Sequence, residues 1–322
     1  MSSSSSHSAF QIDASDAKRL ATRAFATAVF AKETLADVAR ELARAEIAVL
    51  PLKGALLQLD VYAHDPAQRL LTDVDVLVPE SSFIPAIRLL TRRGYRPQSA
   101  GPSWIEAAFA APRGLPVDVH RRLFCPLRFR LPTHEVFQRA RCDRRMLGVS
   151  IWLPDPLDTA AHLIGKFVTD HVTRDAGDRF ADLEALVRHH RLAPDALANH
   201  LSRCGLVRAA RHVLCRGERE RGAPLYRAVL QHLRSTSLDR GVATLAGPLS
   251  SALDGGPLAA LPAHLLNTSL WRCAASLSLA ALYATEHARL RRSRGRRGGH
   301  WAPFFEPVNV SARRRASSAR AV

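Results

Sequence analysis

Two aspartates one residue apart, Asp73 and Asp75 in "DVDVLV", are the pair in this chain best spaced for chemistry. In an extended segment, residues i and i+2 project from the same face. The two carboxylates would then stand side by side, with Val74, Val76 and Val78 on the opposite, buried face. Like charges held that close are costly unless a cation sits between them. Oxygen ligands at this spacing suit Mg²⁺ (or Mn²⁺), which keeps several waters and takes its remaining ligands from substrate phosphate. A D-x-D alone equally fits a polar strand face in water. A second alternating run, "VDVH", places Asp118 and His120 on one face. If the two strands are neighbours, three carboxylates converge. Two could then hold metal ions while the third takes a proton from an attacking hydroxyl, which is the chemistry of phosphoryl or nucleotidyl transfer. His120 would orient a carboxylate, contact substrate, or stand as a satisfied polar residue near the site.

Upstream, "LPLKGALLQL" places Lys53 and Gly54 between two apolar runs. Of 46 basic residues only four are lysines: Lys18, Lys32, Lys53 and Lys166. A compact ammonium, chosen where arginine is the default cation, suits contact with phosphate. Gly54 would let the backbone approach, and the amides of a helix start can hold phosphate oxygens. An ordinary surface lysine at a helix start fits the same residues. Lys166 precedes a segment carrying Asp178, Arg179 and Asp182. Taken by itself, that set fits a salt-bridged helix surface.

The elements that would position these groups follow from periodicity. Residues 14–46 are Ala-rich, with Leu20, Ala24, Ala28, Leu35, Val38 and Leu42 at helical spacing. "IAVL" (47–50) reads as a strand, Lys53-Gly54 opens a second helix, and "DVDVLV" (73–78) is a strand. "SSFIPAIRLLTRRGY" reads as a helix with Pro85 in its first turn and Gly94 as its stop. Strand-like runs flank "APRG" and form a hairpin ending at Val117–His120. Beyond Pro132 the pattern is mainly helical, with one further strand-like run at "GVSIWLP".

In combination, "LPLKGALL", "RLLTDVDVLV", a Gly-Tyr after a helix and "VDVH" resemble the bacterial nucleotidyltransferase-like family of the DNA polymerase β-type superfamily. The resemblance covers roughly residues 30–190 and lies in the order of the motifs. It implies Asp73 and Asp75 as metal ligands and Asp118 as the third carboxylate of the metal and catalytic set. Arg69, four residues before Asp73, matches a basic position common there. Lys53-Gly54 stands where the superfamily usually has Gly-Ser, as in related toxin-type transferases. Those enzymes also carry a lysine followed by an R/K-D-x-x-D helix whose basic residues face the nucleotide, which maps onto Lys166, Arg179 and Asp182. The implied activity is metal-dependent transfer of a nucleoside monophosphate from an NTP, such as ATP, to an acceptor hydroxyl with release of pyrophosphate. The acceptor could be an RNA end, a protein or peptide, or a small molecule.

Composition bounds the remainder. The 322 residues suffice for a substantial core, and the five cysteines are scattered with no C-x-x-C, which favours reduced thiols in a cytoplasmic protein. The leader "MSSSSSHS" lacks the pattern of a secretory signal, and the longest apolar run, 273–284, is too short to cross a bilayer. Of the net charge of +17, the segment from Arg289 onward carries +9. Such a tail can bind RNA or another anionic surface, or can simply be solvated. No H-E-x-x-H, P-loop, G-x-S-x-G or G-x-G-x-x-G motif occurs. The expected architecture is α+β: a disordered leader (1–14), a small mixed-sheet nucleotidyltransferase-like domain (15–153), a helical domain (154–287) and a disordered Arg-rich tail (288–322). Two other functions remain open at this stage. One is an inactive transferase fold that binds RNA or an anionic surface, and the other is a toxin–antitoxin component.

Overall fold

The computed structural model describes residues 14–98, 105–170, 177–253, 261–267, 269, 271–275, 277–278 and 281–282. The leader to residue 13 and the Arg-rich tail lie outside the described residues. The chain opens with α1 (Ala14–Ala43), followed by β1 (Leu50–Pro51), α2 (Lys53–Leu59), β2 (Val74–Leu77), α3 (Phe83–Arg92) and β3 (Arg96–Pro97). Next come β4 (Glu106–Ala110), β5 (Val117–His120), α4 (Thr133–Arg139), β6 (Arg141–Asp143) and β7 (Ile151–Leu153). The helical half follows: α5 (Pro156–Asp170), α6 (Gly177–His190), α7 (Pro194–Arg203), α8 (Val207–Arg221), α9 (Pro224–His232), α10 (Ser237–Leu253) and α11 (Leu261–Leu265). This is the expected combination of a small mixed sheet with many helices.

The main sheet has the order β1-β2-β5-β4-β3. β2 and β5 run parallel at its centre, and the other neighbouring pairs are antiparallel. Alternation divides its side chains between two cores. Val74, Val76, Val117, Val119, Ala107 and Phe109 face α1 and α3, where Leu35, Val38, Phe83, Ile87 and Leu90 complete one cluster. Leu77 points the other way and joins Leu50, Leu52 and Leu57 in a cluster shared with α5–α9. The acidic residues of β2 and β5 therefore share the face turned toward the helical half.

Two helix ends are fixed by left-handed residues. At the end of α1, Glu46 has φ +55° and the Ile47 amide donates to the Leu42 carbonyl at 3.0 Å. At the end of α3, Gly94 has φ +90° and the Tyr95 amide donates to the Leu90 carbonyl at 3.1 Å.

Local differences from the sequence reading have identifiable causes. The strand expected over 47–50 shrinks to Leu50–Pro51, because Ile47 is spent closing α1 and the Val49 carbonyl accepts from the Trp152 amide at 2.8 Å. That bond ties the small β6–β7 sheet beside β1, whose outer edge can tolerate Pro51. Strand β6 was not anticipated. β2 begins at Val74, so Asp73 stands just ahead of the ladder rather than in it. Leu20 is exposed although Ala24 and Ala28 on the same helix are buried.

Candidate active site

The parallel pairing of β2 with β5 sets Asp75 opposite Asp118 and Leu77 opposite His120. Side chains at matched positions of neighbouring strands share a face, so Asp75, Asp118 and His120 converge. One ligand atom from each lies within 4.8 Å of the others. Asp75 is 4% exposed and His120 2% exposed, so both have left water and need partners. His120 Nε2 lies 2.7 Å from Asp75 Oδ1, and its Nδ1 lies 3.1 Å from Glu106 Oε2. Lys53 Nζ donates to the same Asp75 oxygen at 2.6 Å. Burial alone would raise the Asp75 carboxyl, but the His120 hydrogen bond and charge and the Lys53 ammonium outweigh it. The group is held well below the usual carboxylate range.

The other two aspartates are shifted the opposite way. Burial pushes the Asp118 carboxyl up to about 6, and the charges of Asp75 and Glu106 add to it. Asp73 is raised by burial and by Asp75, although the Thr72 hydroxyl donates to it at 3.1 Å. Asp118, half-buried and in register with Asp75, thus sits within the fields of two other carboxylates.

Lys53 is placed by a strained backbone. The Leu52 amide donates to the Asp75 carbonyl at 2.9 Å, which fastens the start of α2 to β2. Lys53 itself has φ +46°, a left-handed conformation that non-glycine residues avoid. Gly54 is buried, and a Cβ there would run into the Leu71 side chain. The immediate reason for glycine at this position is therefore close packing against Leu71. Leu71 in turn leads into Asp73.

The remaining sequence-predicted residues form a second group. Arg69 Nε donates to Asp182 Oδ2 at 3.0 Å, and the Tyr62 hydroxyl donates to Asp182 Oδ1 at 3.1 Å. Asp182 is buried, so this triad ties α6 to the segment leading into β2. Lys166 lies on α5, and Arg179 reaches its carbonyl at 3.4 Å. Asp182 thus faces Arg69 and Tyr62.

Two residues escaped the sequence reading. Glu106 enters through the β4–β5 pairing, which sets it opposite His120. Its alternation with buried Ala107 and Phe109 was legible, but its register was not. His162, one helical turn before Lys166, is fully enclosed. Burial and the charges of Lys53, Lys166 and His120 hold it well below the usual histidine range. The i, i+4 spacing of His162 and Lys166 was a usable signal.

A family model described as an uncharacterised nucleotidyltransferase matches residues 14–217. The chain belongs to that family. The match spans the main sheet, all the candidate-site residues and the helices through most of α8, and the chain is accordingly a nucleotidyltransferase enzyme. Among solved structures it is similar to an antigenic nucleotidyltransferase-like protein from Paracoccidioides brasiliensis, at 16% identity and a TM-score of 0.41, covering 64% of this chain and 94% of that one. No curated protein matches. Among the described residues, no helix is long and apolar enough to cross a membrane.

Proposed function

We propose that this nucleotidyltransferase moves a nucleoside monophosphate from an NTP to an acceptor hydroxyl, with a divalent ion held by Asp73, Asp75 and Asp118. The observation that carries the reading is the in-register Asp75–Asp118 pair, whose carboxylates converge on one sheet face. Hard oxygen donors that repel one another when empty fit Mg²⁺ or Mn²⁺. Bound there, the ion would polarise the phosphate oxygens and offset the charge that builds on them.

The protein's own groups divide the remaining work. In transfer the acceptor oxygen bonds to the α-phosphorus, the bond to the bridging oxygen of the β-phosphate breaks, and pyrophosphate leaves. The hydroxyl proton passes to a carboxylate, and Asp118, in register with Asp75 on the neighbouring strand, is the aspartate assigned to receive it. His120 fixes the orientation of Asp75, and Glu106 fixes His120 from its other side. Lys53, at the start of α2, offers its ammonium to the triphosphate. Lys166 and Arg179 add positive charge on the helical side, and the Arg69–Asp182 brace holds α6 against the segment before β2.

The test is incubation with each α-labelled NTP, Mg²⁺ and lysate, comparing wild type with Asp118→Asn. Label transferred to a macromolecule or small product by wild type only is the expected result. Equal transfer by both proteins would remove Asp118 from the mechanism. No transfer with any NTP would favour the inactive-module reading.

A further inference from the structure

Immediately past the carboxylate face, β5 runs into a loop, "RRLFCPLRFRLP" (121–132), that lines much of an open cavity of about 440 Å³. Its apolar floor includes Phe124 and Phe129, packed edge to face at 4.9 Å. Its rim carries Arg122, Arg130 and Arg272 together with Glu80 and Glu135. Both acids are already engaged. Glu80 accepts from Arg122 at 2.6 and 2.9 Å, and Glu135 accepts from Arg139 at 3.2 Å. Arg130 and Arg272 then face the cavity as like charges, and burial together with Arg130 lowers the Arg272 guanidinium. Among the described residues, the buried Arg272 Nε has no hydrogen-bond partner. Arg128, on the same loop, is buried. Guanidinium donors around an open cavity, one of them with a buried Nε short of a partner, suit phosphate oxygens.

A side-chain contact leads from the cavity toward the candidate active site. Phe124 meets His162 edge to face at 5.6 Å, and Gly165 has no side chain because the Phe124 ring occupies that space. Cys125, also on the cavity wall, lies within the fields of Lys166 and Glu106.

We infer that this arginine-rimmed cavity binds the phosphate group of the acceptor, so that the nucleotidyltransferase modifies a phosphate-bearing molecule whose hydroxyl reaches Asp118. The inference rests on the transfer reading above. The acceptor phosphate could belong to an RNA strand or to a small phosphorylated metabolite, and both present the same oxygens to Arg130 and Arg272.

The test compares the full-length wild type with Arg130→Gln/Arg272→Gln and with Arg130→Glu, a substitution at an exposed position that leaves the core untouched. Thermal unfolding confirms that each is folded. Binding is measured for inorganic phosphate, ribose 5-phosphate, a 5′-phosphorylated hexaribonucleotide and, separately, a non-hydrolysable NTP. The expected result is phosphate-probe affinity weakened at least about tenfold in both variants, with NTP affinity changed less than about twofold. A hexaribonucleotide that binds more tightly than ribose 5-phosphate identifies an RNA acceptor, and equal binding identifies a small one. Unchanged phosphate-probe affinity in folded variants would overturn the inference. Loss of NTP affinity in step would overturn it too, by assigning the cavity to the donor. A wild type that binds no NTP would sink the transfer reading and the acceptor role with it, whatever the phosphate probes show.

Discussion

Replacing Asp118 by asparagine should abolish transfer yet make the metal-free protein more stable at neutral pH. The folded state raises this carboxyl from 3.8 to about 6, through burial and the charges of Asp75 and Glu106. A group whose folded pKa is raised binds more protons folded than unfolded, so its ionisation costs stability as pH climbs from about 4 to 6. Above pH 6 the full cost is present, and below pH 4 it vanishes. A rise of that size corresponds to about 3 kcal/mol. Partial exposure of the side chain screens it, which leaves about 1–2 kcal/mol. Asparagine has nearly the same shape and no charge, so it should recover most of that difference. Urea denaturation in EDTA should show Asp118→Asn more stable than wild type at pH 7.5 and equal to it near pH 4. Adding Mg²⁺ should raise the wild-type midpoint more than the variant's, because only wild type keeps the full ligand set. A variant less stable than wild type at pH 7.5 in EDTA would refute the electrostatic account of the cluster.

Three further outcomes follow from the geometry around it. Lys53 has φ +46°, so Lys53→Gly should be about 1 kcal/mol more stable than Lys53→Ala, the reverse of the usual helix order, by chemical denaturation. Gly54→Ala should cost about 1–3 kcal/mol through collision with Leu71, and Leu71→Ala in the same chain should cost less than its single effect predicts. Asp182→Ala should destabilise by about 3 kcal/mol, because it leaves Arg69 and the Tyr62 hydroxyl facing an emptied site. A double-mutant cycle with Arg69→Met measures the coupling.

What the sequence made legible was local. Alternation placed valines on one face and acids on the other in both "DVDVLV" and "VDVH", and Gly94 and Pro85 marked the ends of α3 as the structure has them. What stayed hidden depended on pairing between distant segments. The 75–118 register that brings the carboxylates together is a property of the sheet, as is the contact of Glu106 with His120. The Arg69–Asp182 bond spans 113 positions and gives each residue a partner that sequence spacing could not supply. The shortening of β1 was equally illegible, since it arises from a bond between Val49 and a strand a hundred residues further on.

The distribution of local cost also bears on whether the site is in use. Lys53 sits in a disfavoured backbone conformation, Asp118 is crowded by Asp75 and Glu106, and His162 is enclosed uncharged among Lys53, Lys166 and His120. All three lie on or beside one sheet face, while the opposite face is an unbroken apolar core with α1 and α3. Strain of this kind persists only where surrounding structure over-determines it. Each unfavourable feature could also be relieved by a single substitution, such as glycine at Lys53 or asparagine at Asp118. A sheet serving only as a binding scaffold would need neither feature. The transfer proposed above would, because the ammonium held on Asp75 and the Asp118 carboxylate crowded beside it are what a triphosphate and a divalent ion would meet on arrival.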